Sequence, residues 1–374
     1  MSSDLPEQPP QVTGGDVPPV EERVRLALAS IDRSGLGLEI GPSYNPLISK
    51  RSGARIETLD HATREQLIAK YQAEGVPAEK IDQIEEVDYV STGGSLVDAI
   101  GRRSVYDYIL ASNLVEHTVD LIGFLQDCEA LLKPEGRLSL IVPDQRFCFD
   151  LLKPFTSIAE VVDAHLYPSK FHPPGTLLQD QTYSCTRGGV IAWGLGAEGP
   201  VELRYADTGG YQDLMRQGLG QAEYVDVHRW RFTPSSFALL VQDLRELGYH
   251  SLAMVDSSPT LGFEFFVTLG RREAPAHYDR LELLQEIRRE FALVSEVDAL
   301  GPVAVQLEAA LTEANRSIAA LEETISAASR LAALHEEALA SLRRELDGVL
   351  SSRSWRMTAP VRRISGMLKS RRSA

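Results

Sequence analysis

The chain has 374 residues, more than one ordinary folding unit holds, and therefore predicts at least two domains. Its composition, with 43% hydrophobic and 24% charged residues, is typical of a globular protein and excludes a largely disordered chain. The net charge of -15 argues against a nucleic-acid-binding protein, because phosphate binding requires clustered Lys and Arg.

Residues 1–19 are rich in Pro and Gly and predict a flexible leader. They lack the basic start and apolar run of a secretory signal, and no later stretch approaches the roughly 18 consecutive apolar residues of a membrane span. The cysteines Cys128, Cys148 and Cys185 are odd in number and have no metal-ligand spacing, which favours neither a disulfide framework nor a zinc site. We therefore expect a cytoplasmic protein in a reducing compartment, and the sequence predicts no metal site.

Strand-like and helical segments alternate over residues 20–270, which indicates a doubly wound, mostly parallel α/β sheet. The hydrophobic spacing predicts a first helix over 20–31. Seven strands are predicted, at residues 36–40, 54–60, 84–90, 106–112, 136–144, about 249–255 and 263–269.

Two of the helices between these strands have clear boundaries. One covers 119–132, and the other covers 234–247, where Thr233 is the candidate N-cap and Gly248 the terminating glycine. Between about 145 and 225 the alternation stops and only short apolar patches remain among Pro, Gly, Tyr and His. We interpret this segment as an insertion into the sheet domain.

Acidic residues and a glycine stand where the first three predicted strands end. Ligands of open α/β sheets bind beyond the carboxyl ends of the strands. There, Gly41 would let the backbone approach a ligand and Glu39 could hold a water or an amine, although such a glycine can also serve turn geometry alone. Asp60, about 20 residues after the glycine, could accept both hydroxyls of a ribose, or could act as an N-cap or solvated acid. Asp88 is interpreted as closing the third strand, where it could accept from an exocyclic amine.

The fourth strand and its loop read YDYILASNLVEH (106–117), followed by a helix and LLKPEGRLSLIVPD (131–144). This arrangement resembles class I S-adenosylmethionine-dependent methyltransferases, particularly the type 11/12 group, over about 36–269. The resemblance implies a Rossmann-like methyltransferase fold with S-adenosyl-L-methionine as cofactor and His117 on the acceptor side. It also implies a cofactor pocket lined by Glu39, Gly41, Asp60, Asp88 and Asn113.

The sequence departs from this family at the first turn. The family usually has two or three glycines there, whereas GPSYNP (41–46) has one. The same departure counts against a nicotinamide enzyme, because the G-x-G-x-x-G phosphate cradle is absent.

Methyl transfer from a sulfonium is an in-line displacement, in which positioning supplies much of the catalysis and an oxygen nucleophile benefits from a general base. The candidate bases are His117, Asp144 and His228, each of which could instead be a structural or surface residue. Three arginines could hold an anionic acceptor or pair with surface acids. They are Arg146, Arg229 and Arg231.

Beyond the sheet domain the composition changes to Ala, Leu, Glu and Arg. Residues 271–299 predict a helical linker. Over 300–350, apolar residues recur in alternating steps of four and three from Leu300 to Val349, which predicts a coiled coil formed by self-association or with a partner helix. His335 interrupts the apolar seam. A long helix packed on its own domain is the alternative.

Residues 351–374 carry seven Lys or Arg and no acid, which predicts a basic amphipathic tail. Residues 353–372 would then bind an anionic membrane surface, or form a solvated or disordered end. SRSWRMTAPVR (352–362) resembles a short segment of bacterial glycosyltransferases and methyltransferases of surface-polysaccharide assembly. This resemblance implies a context of glycan biosynthesis.

The leading hypothesis is a methyltransferase that O-methylates a saccharide or related small molecule in bacterial surface-glycan biosynthesis. It would be cytoplasmic and peripheral on the inner face of the plasma membrane. One alternative is a non-catalytic scaffold that keeps the methyltransferase fold in a polysaccharide assembly complex. Another is an enzyme that transfers a sugar.

Overall fold

The computed structural model describes residues 19–205, 224–271, 278–300, 302–360 and 362. The chain divides into two compact units, residues 1–299 and 300–374. The predicted leader, apart from residue 19, lies outside the described residues, as does the predicted tail from residue 363 onwards.

Seven of the nine described strands of the first unit overlap the predicted ones, and the other two, β6 and β7, lie in the predicted insertion. They are β1 (Gly37–Ile40), β2 (Ile56–Asp60), β3 (Tyr89–Val90), β4 (Tyr106–Ser112), β5 (Leu132–Pro143), β6 (Cys185–Arg187), β7 (Val201–Leu203), β8 (Leu252–Ser257) and β9 (Glu264–Arg271). The helices up to residue 300 are α1 (Val20–Ala27), α2 (Arg64–Ala73), α3 (Ala78–Ile81), α4 (Leu96–Ile100), α5 (Leu121–Leu131), α6 (Ile158–Leu166), α7 (Pro174–Tyr183), α8 (Pro234–Glu246) and α9 (Arg280–Leu300).

Within the described residues, seven strands form one sheet in the order β3-β2-β1-β4-β5-β9-β8. The pairs from β3 to β5 are parallel, and β9 runs antiparallel to both of its neighbours. This confirms the predicted doubly wound, mostly parallel seven-stranded sheet. The carboxyl ends of β1, β2 and β4 therefore lie along one edge.

The third strand is shorter than the sequence indicated. β3 contains only Tyr89 and Val90, so Asp88 precedes the strand, and the prediction that it closes the strand is wrong. The backbone of Asp88 already pairs with β2, because its N–H donates to the Thr58 carbonyl over 3.0 Å.

Both faces of the sheet are buried, which explains why its central strands are apolar almost throughout. Ile109 of β4 packs into the larger core cluster together with Leu125 of α5 and Phe237 of α8. The next residue, Leu110, packs on the other face with Ala27 of α1. The hydroxyl of Ser139 fixes α1 to the sheet by donating to the Ala27 carbonyl over 2.6 Å.

Helix α8 begins as predicted. Thr233 is its N-cap and forms a capping box with Ser236, while Pro234 occupies the first helical turn, where a missing N–H costs nothing. Gly248 follows the helix with a φ of 82°, the left-handed conformation that ends many helices.

The predicted insertion leaves and rejoins the sheet domain at one place. Asp144 forms a parallel bridge with Phe232, and the Gln145 N–H donates to the Phe232 carbonyl over 2.8 Å. Between these points the described residues form α6, α7 and the two-stranded sheet β6-β7. Helix α9 lies in the region predicted as a linker, yet it buries Ile287 and Val294, and Val294 packs with Phe147, Cys185 and Trp193.

The second unit contains α10 (Pro302–Ser351) and α11 (Arg353–Met357). The described apolar side chains along α10, such as Leu321, Ile325 and Leu342, are exposed. None of the described helices is long and apolar enough to cross a membrane.

Candidate active site

The turn after β1 contains two residues with left-handed backbone conformations. Gly41 has a φ of 67° and Ser43 a φ of 51°. This conformation favours glycine, because a Cβ is strained there. At position 41 a Cβ would also lie 3.2 Å from Leu114 Cδ1. Ser43 thus takes the conformation that a second glycine would supply, and the turn keeps its shape with one glycine in its sequence.

Glu39 holds the loop that follows this turn. Its side chain is buried and accepts hydrogen bonds from the N–H groups of Leu47, over 2.7 Å, and Ile48, over 3.3 Å. Burial raises the pKa of Glu39 to about 7, although these two hydrogen bonds oppose the shift. The structure therefore places Glu39 under the loop, where it positions residues 41–48.

Asp60 lies at the carboxyl end of β2, beside the turn. Its Oδ2 accepts from the Ser43 N–H over 3.1 Å, and its Oδ1 accepts from the His61 N–H over 2.7 Å. A carboxylate has about four lone-pair positions, so acceptor capacity remains for a ligand. Asp60 lines a pocket together with Pro42, Ser43, Pro46, Thr58, Leu67, Glu85 and Val87.

Asp88 does not line this pocket. Its carboxylate accepts from the Thr58 N–H over 2.7 Å and forms an ion pair with Lys50. These contacts fasten β3 to β2, and the exocyclic amine contact predicted for Asp88 has no support in this geometry.

Asn113 reaches the same edge of the sheet from the end of β4. Its φ of 46° is left-handed, and its Nδ2 donates to Glu264 Oε1 over 2.7 Å. Glu264 also accepts two hydrogen bonds from Arg23 of α1, over 2.7 and 2.9 Å, and Arg23 donates to the Ser112 hydroxyl. The buried Oδ1 of Asn113 has no partner within the described part of the chain.

Two predicted candidates, His117 and His228, lie side by side. Their ring centroids are 4.6 Å apart and the rings meet edge to face. His117 ends a 3-10 turn, Val115–His117, just after β4, and its Nδ1 lies 2.9 Å from Asp226 Oδ1. His228 is buried, and its Nδ1 lies 2.5 Å from Asp150 Oδ2.

Each histidine is paired with a carboxylate that stays ionised. Burial alone would lower the pKa of His117, but the hydrogen bond with Asp226 and the charge of Glu116 raise it to about 9. The same hydrogen bond holds the pKa of Asp226 well below its usual range. Asp150 is fully buried, yet His228 and Lys153 together hold its pKa below the usual range as well.

Backbone hydrogen bonds join the two segments that carry the histidines. The Glu116 carbonyl accepts from the N–H groups of Arg229, over 2.8 Å, and Trp230, over 3.1 Å. The Trp230 indole donates to the Thr118 carbonyl over 2.7 Å. The loop after β4 and the segment around His228 thus form one rigid body.

Asp144 lies outside this group. Its carboxylate accepts three hydrogen bonds from Arg146, over 2.6 to 3.0 Å, and one from the Thr260 hydroxyl over 2.5 Å. With both oxygens engaged, Asp144 is in a poor position to accept a substrate proton.

The other two candidate arginines bind backbone carbonyl groups. Arg229 donates to the Val119 carbonyl over 2.5 Å, and Arg231 donates to the Pro154 carbonyl over 2.9 Å. All three arginines therefore have structural partners.

Sequence reasoning missed several residues that surround the histidine pair. The acids Asp150 and Asp226 gave no local signal. His172 is buried near the pair with no partner for either ring nitrogen among the described residues, and burial lowers its pKa to about 4. The Glu116-His117 dipeptide was visible in the sequence and would have indicated Glu116.

No protein-family model matches the chain. A curated relative, the ubiquinone biosynthesis O-methyltransferase of Methylocella silvestris, is 32% identical over 87 residues, which are 23% of this chain. The match spans 30% of that relative's length.

Three solved structures with similar folds share 12–14% of their residues with this chain. The methyltransferase CcbJ from Streptomyces caelestis is 12% identical, with 70% of this chain and 100% of that chain covered and a TM-score of 0.35. An S-adenosylmethionine-dependent methyltransferase from Mesorhizobium loti is 12% identical, with 68% and 100% covered and a TM-score of 0.36. A structure described as Zn-dependent alcohol dehydrogenases from Rhodobacter sphaeroides is 14% identical, with 67% and 89% covered and a TM-score of 0.39. At these TM-scores the likenesses carry no argument about function. The strand order and the antiparallel β9 match the Rossmann-like methyltransferase fold.

Proposed function

We propose that the first unit is an S-adenosylmethionine-dependent methyltransferase that methylates a hydroxyl oxygen. The observation that carries this proposal is the grouping at one edge of the parallel sheet. The Gly41–Ser43 turn follows β1, Asp60 ends β2, and the His117–His228 pair lies beyond β4. The local similarity to a curated O-methyltransferase supports it as well.

The residues at the ends of β1 and β2 fit the cofactor. The left-handed turn at Gly41 and Ser43 brings backbone close to the pocket, as the amino acid part of the cofactor requires. The remaining lone pairs of Asp60 suit the two ribose hydroxyls. Glu39 contributes by positioning the loop. When bound, the cofactor supplies an electrophilic methyl group on a sulfonium.

The histidine pair fits the acceptor side. A hydroxyl group must lose its proton to become a strong nucleophile, and His228 is placed to promote that loss. His117, with its pKa raised to about 9, holds a proton near neutral pH and can stabilise a negatively charged oxygen. The rigid connection of the two segments by Glu116 and Trp230 suits an in-line reaction, since misplacement by about 1 Å can cost on the order of 100-fold in rate.

We further propose a saccharide acceptor in bacterial surface-glycan biosynthesis, with the chain at the inner face of the plasma membrane. The support is the segment 352–362 and its resemblance to polysaccharide-assembly enzymes. In this segment the guanidinium of Arg362 lies 3.5 Å from the Trp355 ring centroid, a cation–π contact.

Calorimetric titration with S-adenosylmethionine tests the cofactor part. We expect Asp60→Ala to weaken binding by roughly 10- to 100-fold, the effect of losing one charge-assisted contact. Asp88→Ala is the matched control, because Asp88 lies outside the pocket. The affinity of this variant for S-adenosylmethionine should stay close to that of wild type. No binding by the folded wild-type protein would refute the proposal.

Transfer of labelled methyl groups to bacterial glycan intermediates tests the reaction itself. A labelled product supports the enzyme over a non-catalytic scaffold. Cofactor binding without transfer to any hydroxyl acceptor would favour the scaffold.

A further inference from the structure

Glu116 is a buried carboxyl group that accepts no hydrogen bond in the described part of the chain. The residue is 1% exposed, and neither of its carboxylate oxygens has a hydrogen-bond partner in the described part of the chain. Buried polar groups are nearly always paired, because an unpaired one costs about 1–3 kcal/mol and a charged one costs more. Burial accordingly raises the pKa of Glu116. Such a group indicates a ligand that the protein alone does not supply.

The two histidines beside Glu116 are oriented as metal ligands usually are. In each ring Nδ1 faces a carboxylate, Asp226 at 2.9 Å for His117 and Asp150 at 2.5 Å for His228. Metal-binding histidines almost always donate one ring N–H to a carboxylate or carbonyl, which fixes the tautomer and leaves the other nitrogen for the metal. Within the described part of the chain, neither Nε2 atom has a hydrogen-bond partner, and both can therefore face a metal ion.

The three side chains converge on one point. His117 Nε2 lies 3.7 Å from Glu116 Oε1, and one ligand atom from each of Glu116, His117 and His228 lies within 4.8 Å of the others. An ion coordinated at about 2.0–2.2 Å would fit among atoms at this spacing. The backbone bonds from Arg229 and Trp230 to the Glu116 carbonyl hold the three in place without a metal.

A second group, Cys148, Asp150 and His228, has a similar spacing but fits a metal less well. Asp150 already pairs with Lys153 over 2.7 Å, and Lys153 pairs with Asp180. A buried cation at this place would repel a metal ion. Among the described residues, no Lys or Arg is paired with the carboxylate of Glu116, whose ion-pair partner at 3.7 Å is His117, another of the three candidate ligands.

We propose that Glu116, His117 and His228 bind one divalent transition-metal ion of the zinc type. Two imidazoles and one carboxylate suit Zn²⁺, Co²⁺ and related ions, whereas Mg²⁺ and Ca²⁺ prefer oxygen ligands. Three protein ligands leave at least one position open for a further oxygen. No ligand spacing in the sequence marks this site, because His228 lies 111 positions after His117.

The role of the metal rests on the proposed function. An ion held by Glu116, His117 and His228 would lower the pKa of an acceptor hydroxyl bound at its open position, and the proton released there would pass to water. Its oxygen then bonds to the methyl carbon as the carbon–sulfur bond breaks, and S-adenosylhomocysteine leaves. The histidines position the metal in this scheme, and the metal activates the nucleophile.

The test uses the untagged full chain, freed of metal with a chelator and titrated with Zn²⁺ in a calorimeter. We expect one Zn²⁺ site. When Co²⁺ is added to the metal-free protein in place of Zn²⁺, the visible absorption of Co²⁺ bound to nitrogen should appear. Glu116→Gln and His228→Gln should each weaken Zn²⁺ binding by about 100-fold or more, because losing even an outer partner such as Asp150 costs about 10- to 100-fold. His335→Gln is the matched control, because His335 is an exposed histidine of α10, and this variant should bind Zn²⁺ with the affinity of wild type.

Thermal unfolding provides a readout that a merely structural role would not give. Without metal, Glu116→Gln should melt no lower than wild type, because the substitution removes a buried unpaired carboxyl group. Zn²⁺ should raise the melting temperature of wild type and not of the variant. If Glu116→Gln fails to fold, His117→Gln takes its place in both measurements.

Equal Zn²⁺ affinity in wild type and in the Glu116 or His117 variants would overturn the metal site, as would no Zn²⁺ binding by folded wild type. S-adenosylmethionine binding, measured on the same chelator-treated sample, separates the two proposals. Cofactor binding by a protein that binds no Zn²⁺ would refute the metal site alone. Metal binding without cofactor binding would refute the proposed function alone.

Discussion

The Nδ1 of His228 donates to Asp150 Oδ2 across 2.5 Å inside the protein, 78 positions away in the sequence. The other oxygen of Asp150 faces Lys153 Nζ at 2.7 Å, and Lys153 also lies 2.7 Å from Asp180 Oδ1. One buried cation thus stabilises two carboxylates. The orientation of His228 depends on this arrangement, since Asp150 can hold the ring only while its own charge is balanced.

Replacing Lys153 should therefore lower the free energy of unfolding much more than replacing an exposed lysine. Lys153→Met leaves two buried carboxylates unbalanced, and we expect the free energy of unfolding to fall by about 3 kcal/mol or more. Lys133→Met is the matched control, because Lys133 pairs with Asp107 at the same 2.7 Å on the surface and should lose less than about 1 kcal/mol. Urea unfolding measures both, and equal losses would contradict the account.

The backbone at Ser43 predicts different outcomes for two small substitutions. Ser43→Gly and Ser43→Ala both remove the hydroxyl that donates to Tyr71, so they differ only in the Cβ. Because Ser43 has a φ of 51°, the alanine variant should be less stable than the glycine variant by about 1 kcal/mol. Chemical denaturation measures the difference. An alanine variant as stable as the glycine variant would show that the turn is not left-handed at this residue.

Glu39 should make the free energy of unfolding depend on pH. Burial raises the pKa of Glu39 from its usual 4.5 to about 7, so between these pH values the native state binds more protons than the unfolded state. The stabilisation is complete below pH 4.5 and is lost as the pH rises through about 7. Relative to Glu39→Gln, wild type should lose about 2–3 kcal/mol between pH 5 and pH 8, since each pKa unit is worth about 1.4 kcal/mol. Parallel pH profiles of the two proteins would rule this out.

The coiled coil remains a prediction that oligomeric state can test. Leu342 lies on the apolar seam of α10, whereas Leu334 lies off it, and their exposed fractions in the single chain are 61% and 62%. If the seam pairs with a second copy, Leu342→Asp should shift the protein towards monomer in analytical ultracentrifugation. Leu334→Asp should leave the wild-type assembly intact. A wild-type chain that sediments as a monomer would count against self-association.

The sheet could be predicted from the sequence because its signals are local. Apolar runs marked β1, β4 and β5, and Thr233 with Pro234 marked the beginning of α8. The third strand was harder to place. Its two residues pair only with the end of β2, and the preceding acids gave no boundary.

The candidate site was predictable only in part. Three of its residues lie at or just after the ends of strands and could be found from their positions. They are Gly41, Asp60 and His117. The partners of the histidines could not, since Asp150 and Asp226 reach them through tertiary contacts without any periodic pattern. Ser43 was missed for another reason. Its left-handed conformation is a property of the backbone, which a serine in the sequence does not indicate.

The segment from residue 146 to residue 231 begins and ends at the bridge between Asp144 and Phe232. Its length is therefore independent of the sheet, because lengthening a closed loop costs only about 0.6 kcal/mol per doubling. Under the proposed function, the same segment contributes Asp150 and His228 to the acceptor side. Because its Val161, Ala164 and Trp230 also pack into the larger core cluster, a segment grafted onto this pair of anchor residues to obtain new methyl acceptors has to keep apolar side chains at these three positions.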